Sequence, residues 1–179
     1  MTISLSTLLS IVRPYLIRYN TLMIGGFDEP FYSAPGAGHP ARIQFTHDYI
    51  RSALHELSHW CVAGKHRRRQ DDYGYWYTPD GRTQGQQEAF FKAEVKPQAI
   101  EWAFSECCGI PFDVSVDNLD KQTEGLDLFS MQVKNQLKTY REQGFPIRTT
   151  DLLYLLDTTH KSPQHTVDPP THLLTHPRL

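Results

Sequence analysis

The stretch Thr46-His47-Asp48-Tyr49-Ile50-Arg51-Ser52-Ala53-Leu54-His55-Glu56-Leu57-Ser58-His59-Trp60-Cys61-Val62-Ala63-Gly64 decides how this chain folds and what it carries. Ile50, Ala53, Leu54, Leu57 and Cys61 recur at the three- and four-residue spacing of a helix with one buried face. Thr46 is a candidate N-cap, Asp48 a favourable charge in the first turn, and Gly64 a terminating residue. His55 and His59 lie one turn apart and project nearly opposite the apolar stripe, beside Ser52 and Asp48. Packed core histidines would fall inside that stripe. On the other face, the two imidazoles can meet on one metal ion while the helix stays undistorted. Glu56 lies about 100° round the helix from His55, so it can approach a metal-bound water from the side without being a ligand. It is the candidate catalytic residue, the general base of a zinc-dependent peptidase or ribonuclease.

Two histidines hold a divalent ion weakly, so a third protein ligand is expected. His66 lies just beyond Gly64, but within Lys65-His66-Arg67-Arg68-Arg69, where positive charge opposes a cation. Carboxylates are better candidates, and Glu88, Glu94, Glu101 and Glu106 follow in the next helical region. Residues 84–95 read as a helix. Pro97 breaks it or begins a second one, which runs to Cys108 and stops at Gly109. If the helix is continuous through Pro97, then Glu94, Gln98 and Glu101 share one face. Glu94 and Glu101 are therefore the alternatives for the third metal position beside His55 and His59.

Further out, residues 3–19 have the helical period through Leu5, Leu8, Leu9, Val12 and Leu16, with a possible kink at Pro14. Residues 24–41 are rich in Gly and Pro, which predicts a long loop or a strand with irregular flanks. Ala41 to Phe45 alternates weakly, as a short edge strand does. Tyr73 to Tyr77 alternates as a strand closed by Pro79-Asp80-Gly81. Residues 124–143 and 149–157 read as two more helices. These elements predict an α+β fold with several helices around a small mixed sheet and the histidine-bearing helix at its centre. A single metalloenzyme domain is expected over 1–157, and a Pro- and His-rich tail over 158–179, carrying His160, His165, His172 and His176.

Composition narrows the function. A formal net charge of −2 argues against binding nucleic acid directly by bulk charge. The apolar stretch from Ile3 to Ile17 contains Arg13 and Pro14, too short and interrupted for a membrane span or a signal sequence. Three cysteines, Cys61 alone and Cys107-Cys108 adjacent, make no disulfide framework. A cytoplasmic protein without membrane association is expected. The basic run at 65–69 could dock an acidic or tRNA-shaped partner, and the aromatic cluster at 73–77 could wall a channel. Asp71, Asp72 and Glu88 could accept hydrogen bonds from a cationic substrate.

His55-Glu56-Leu57-Ser58-His59-Trp60, then Glu94-Val95-Lys96-Pro97-Gln98-Ala99-Ile100-Glu101-Trp102, then Ser115-Val116-Asp117-Asn118-Leu119 resemble the elongation factor P hydroxylase family. The resemblance runs from the first helix to about residue 157. It implies hydroxylation of the lysine of elongation factor P that already bears a β-lysyl group. It also implies a two-histidine, one-carboxylate iron centre with molecular oxygen as co-substrate. The implied fold is similar to a small metal-dependent ribonuclease fold. The residues are compatible with this, because two neutral imidazoles and one carboxylate leave positions open on Fe(II) for oxygen and substrate. Spacing alone favours zinc and hydrolysis, and zinc is the metal that could also occupy the purified protein. The resemblance is what shifts the expectation to iron and hydroxylation.

Overall fold

A computed structural model describes residues 2–74, 83–116 and 125–161, with side chains through residue 158. Its elements run α1 (Leu5–Ile17), β1 (Thr21–Phe27), β2 (Phe31–Ser33), β3 (Ala41–Thr46), α2 (Ile50–Val62), two short 3₁₀ turns (Arg67–Arg69 and Asp71–Gly74), α3 (Gln84–Cys108), α4 (Leu126–Gln143) and α5 (Ile147–Lys161). Among the described residues the architecture is α+β, five helices around a three-stranded mixed sheet, as the pattern of elements predicts. No helix among the described residues is long and apolar enough to cross a membrane.

The Gly/Pro-rich region resolves into strands. The sheet order is β1-β3-β2, with β1 and β3 parallel and β2 and β3 antiparallel. Expected at the edge, β3 is instead central, because both β1 and β2 pair with it. Met23, Ile43 and Tyr32 stand in one row and bury their side chains on the inner face. Ile24, Gln44 and Phe31 form the alternate, more exposed row. The β1–β3 register slips between Ile24 and Phe27, where a Cβ at Gly25 would come within 2.6 Å of the Phe45 ring and the His47 carbonyl. Gly26 has φ +94°. A side chain at either position would disrupt the turn of the strand.

α1 is capped by Ser4, whose hydroxyl accepts from the Thr7 N–H at 3.1 Å. It buries Leu8, Ile11, Val12, Tyr15 and Leu16 against the sheet and α5. Leu5 and Leu9 are only partly buried, so the stripe is rotated from the one the leucines suggest. α2 sits between β3 and α3. Thr46 does not cap it. Thr46 ends β3, its N–H donating to Ser52 Oγ at 3.0 Å, and the helix begins four residues later after Tyr49. At the other end Arg148 of α5 donates to the carbonyls of Trp60 and Cys61, at 3.0 and 2.9 Å, and to that of Ala63. Arg68 donates to the Ala63 carbonyl at 2.7 Å. The two cations satisfy carbonyls that the helix leaves unpaired and complement its dipole. Both also face the fully buried Trp60 ring, at 4.8 and 5.8 Å from its centre.

α3 starts with a reciprocal cap: Gln86 Oε1 accepts from the Thr83 N–H at 2.8 Å, while Thr83 Oγ accepts from the Gln86 N–H. It continues through Pro97 to Gly109, which takes φ +68°. Proline removes one backbone donor and costs about 3 kcal/mol in a helix interior. Burial on both flanks outweighs that cost, since Ile100 and Phe104 pack into the sheet-side core and Phe90, Phe91, Ala99 and Ala103 pack against Phe129, Val133 and Leu137 of α4. α5 extends to Lys161, four residues past the domain end expected at 157. The alternation from Tyr73 does not begin a strand: Tyr73 and Gly74 belong to the 3₁₀ turn, and residues 75–77 lie outside the described residues.

Candidate metal centre

α2 and α3 cross with their polar residues facing each other. His55 and His59 lie one turn apart on α2, half-buried, and their Nε2 atoms are 3.0 Å apart. Glu94, only 3% exposed, enters from α3 with Oε1 3.3 Å from His59 Nε2 and Oε2 3.7 Å from His55 Nε2. Among the described residues these three form the group able to share a metal ion, its ligand atoms all within 4.8 Å of one another. Two donors about 2.1 Å from one ion are separated by about 3.0 Å at a right angle and about 3.4 Å at the tetrahedral angle. The observed spacings fit a common ion. Two imidazole nitrogens 3.0 Å apart also require a hydrogen-bonded proton or a cation between them, because two lone pairs repel.

Glu101 stands two turns along α3 from Glu94 and takes a different place. Its Oε2 lies 2.8 Å from His55 Nδ1, on the side of the ring away from His59, and the residue is 4% exposed. A proton on Nδ1 bonded to this carboxylate frees Nε2 as a ligand and raises its basicity. Glu56 is buried on the flank of α2 and adds negative charge felt by both histidines. It is not one of the three clustered residues. Burial opposes a charge on His55, yet Glu101, by charge and hydrogen bond, together with Glu94 and Glu56, raises its pKa well above the usual 6.5. His59 is likewise raised: burial opposes its charge, but Glu94 outweighs it. Burial would raise Glu94, but the two histidines and the Gln98 amide pull it down to about 2. The surrounding carboxylates therefore favour positive charge at the histidine pair.

A cavity of about 290 Å³ opens beside His59 and Glu94, walled by Tyr73, Ala93 and Pro97 and bordered by the segment from Val62 to Arg67. It lies at the small end of ligand sites, about 300–1,000 Å³. Tyr73 reaches it through two consecutive left-handed residues, Asp72 at φ +45° and Tyr73 at φ +57°. Non-glycine residues there cost about 1–3 kcal/mol each and need support. Support comes from Asp72 accepting the Tyr32 N–H and Asp71 the Ala34 N–H, each at 2.8 Å, and from Arg67 donating to the Tyr73 carbonyl at 3.0 Å. The Tyr73 ring then stacks on Tyr32 at 4.1 Å and runs nearly parallel to His59.

These contacts revise several sequence expectations. Asp71 and Asp72 clamp β2, and Glu88 is exposed outside the cavity lining, so none of the three is placed to receive a cationic substrate there. The basic run is not one solvated patch, because Arg68 turns inward to Trp60 and Arg67 braces Tyr73. His66 borders the cavity but lies outside the clustered group. The strained turn carrying Tyr73 was invisible in the sequence, where no glycine or asparagine marks positions 72 and 73. The tail histidines from His165 onward lie outside the described residues.

The family described as Elongation factor P hydroxylase matches residues 13–169, past the boundary expected at 157. The chain is 44% identical over 136 residues to the Elongation factor P lysine hydroxylase of Haemophilus influenzae, covering 75% of this chain and 76% of that protein.

Proposed function

Because the chain belongs to the elongation factor P hydroxylase family, we propose that it hydroxylates the modified lysine of elongation factor P, the lysine bearing a β-lysyl group. The observation that carries this reading is the His55, His59 and Glu94 cluster facing a cavity in a chain so similar to a lysine hydroxylase. His55, His59 and Glu94 are the ligands, and Glu101 holds the His55 ring by its Nδ1–H. The metal is Fe(II), although zinc can occupy such a donor set after purification. When bound, Fe(II) in a two-histidine, one-carboxylate site supplies the activation of molecular oxygen needed to place an oxygen atom on an unactivated carbon.

The chain's own residues account for the rest. Val62, Ala63, Ala93 and Pro97 offer apolar walls to the aliphatic stem of a lysine side chain. Glu94 and Glu101 keep Nε2 of each ring directed at the shared position, and Tyr73 closes one side of the cavity. Glu56, buried next to the pair, balances the positive charge of the centre. The zinc-hydrolase alternative, with Glu56 as general base, rests only on the spacing within α2, and the relative's activity speaks against it. The same family membership supports a cytoplasmic setting; a single metalloenzyme domain over 1–157 followed by a Pro/His-rich tail, and a fold similar to a small metal-dependent ribonuclease, remain part of the proposal.

Mass spectrometry of elongation factor P from cells with and without this protein tests the proposal. The expected result is one extra oxygen atom on the β-lysylated lysine, present only with the protein and lost in His55→Ala and His59→Ala variants that remain folded. Full hydroxylation by both variants would refute it.

A further inference from the structure

Gln98 is 1% exposed and lies one turn beyond Glu94 on α3. Its amide makes three hydrogen bonds. Nε2 donates to Glu94 Oε2 at 3.3 Å and to the Ser115 carbonyl at 2.7 Å, while Oε1 accepts from the Ser115 N–H at 3.0 Å. These partners settle the amide's orientation, since the flipped form would set its oxygen against two acceptor oxygens and its NH₂ against a donor. Glu94 thus has Oε1 toward His59 and Oε2 engaged by Gln98, which fixes the plane of the carboxylate.

The segment 110–116 has no helix or strand of its own and is held by contacts to α2 and α3. Phe112 stacks on Trp102 of α3 at 5.0 Å, Arg51 of α2 donates to the Asp113 carbonyl at 3.2 Å, and Gln98 grips both backbone groups of Ser115. At Gln98, therefore, this strap meets the carboxylate of the candidate centre.

We propose that Gln98 is a positioning residue: it orients Glu94 toward the metal and makes that orientation depend on the Ser115 backbone. The proposal rests on the assignment of Glu94 as a ligand. If Gln98 served only to fasten the strap to α3, its loss would lower stability and leave the metal untouched.

The test is a Co(II) titration of the metal-free full chain, followed by visible absorption. Gln98→Met keeps the length of the side chain and removes all three bonds. The expected result is a Co(II) dissociation constant raised about 10- to 100-fold, as for loss of other ligand-orienting groups, with an altered absorption band. Ser115→Pro removes the N–H that anchors Gln98 Oε1 while keeping the Gln98 side chain beside Glu94, and gives a smaller rise in the same direction. A folded Gln98→Met protein with wild-type Co(II) affinity and an unchanged band overturns the proposal. Should that variant fail to fold, unchanged affinity in Ser115→Pro overturns it. Hydroxylation by the wild type, measured in parallel, separates the two claims. A wild type that shows the Co(II) effects but never modifies elongation factor P refutes the proposed function alone.

Discussion

Glu101→Gln removes one charge from the centre while keeping the shape of the side chain and an oxygen for the His55 Nδ1–H. The carboxylate lies 2.8 Å from Nδ1, so across the ring it stands about 7 Å from an ion bound at Nε2. At that separation, with an effective dielectric of about 20, its attraction for a divalent ion has a ceiling near 5 kcal/mol. The neutral amide that replaces the carboxylate still accepts the Nδ1–H, which reduces this toward the values found when ligand-orienting carboxylates are lost, about 1.4–2.7 kcal/mol or 10- to 100-fold in affinity. A second effect opposes the first. Glu101 also stabilises the proton on His55 that the metal must displace, so its removal weakens the competitor as well. The net loss is therefore smaller at about pH 6, where protons compete more, than at about pH 8.5, where they compete less. Calorimetric titration with Co(II) at both values reads this directly. An affinity ratio that is flat, or larger at the acidic value, would refute the claim that Glu101 acts through His55.

Arg148→Met should destabilise the protein by about 2–3 kcal/mol, because it uncaps carbonyls of α2 that receive charged hydrogen bonds. Urea unfolding would show a lower midpoint at unchanged slope, and an unchanged midpoint would remove the capping role. Metal-free protein should lose thermal stability as pH rises. His55 and His59 are raised above 6.5, so their contribution is complete below that value and disappears as pH climbs through the folded pKa values. Glu94, pulled down to about 2, contributes above its usual 4.5 and is lost as pH falls toward about 2. Melting of chelator-treated protein should thus be highest between 4.5 and 6.5, and added metal should raise it more at higher pH. A metal-free melting temperature that climbs steadily above 6.5 would contradict this.

The histidine pair, its placement away from the apolar stripe, and the two candidate carboxylates were legible because each depends on spacing within one helix. The choice between Glu94 and Glu101 was not. They lie seven residues apart on one face, about 10.5 Å along the axis, and the crossing of α2 and α3 decides which meets both Nε2 atoms. That crossing is a tertiary fact, and it also gives the second carboxylate its separate place on Nδ1. The sequence leaves residues 24–41 open between a long loop and a strand with irregular flanks, because the pairing of β1 and β2 with β3 is non-local and the glycines and prolines of that region also signal a loop. Pro97 read as a break because its local cost is visible in the sequence, while the two packed flanks that outweigh it are not. Likewise, the 72–73 turn depends on partners about forty residues away, Tyr32 and Ala34, that hold its strained backbone.

The most direct test is metal analysis of the chain purified without oxygen, alongside folded His55→Ala, His59→Ala and Glu94→Ala forms. One equivalent of metal, chiefly iron, in the parent and loss of it from each variant is the predicted result. Equal metal content in all four proteins would show that these side chains do not hold the ion.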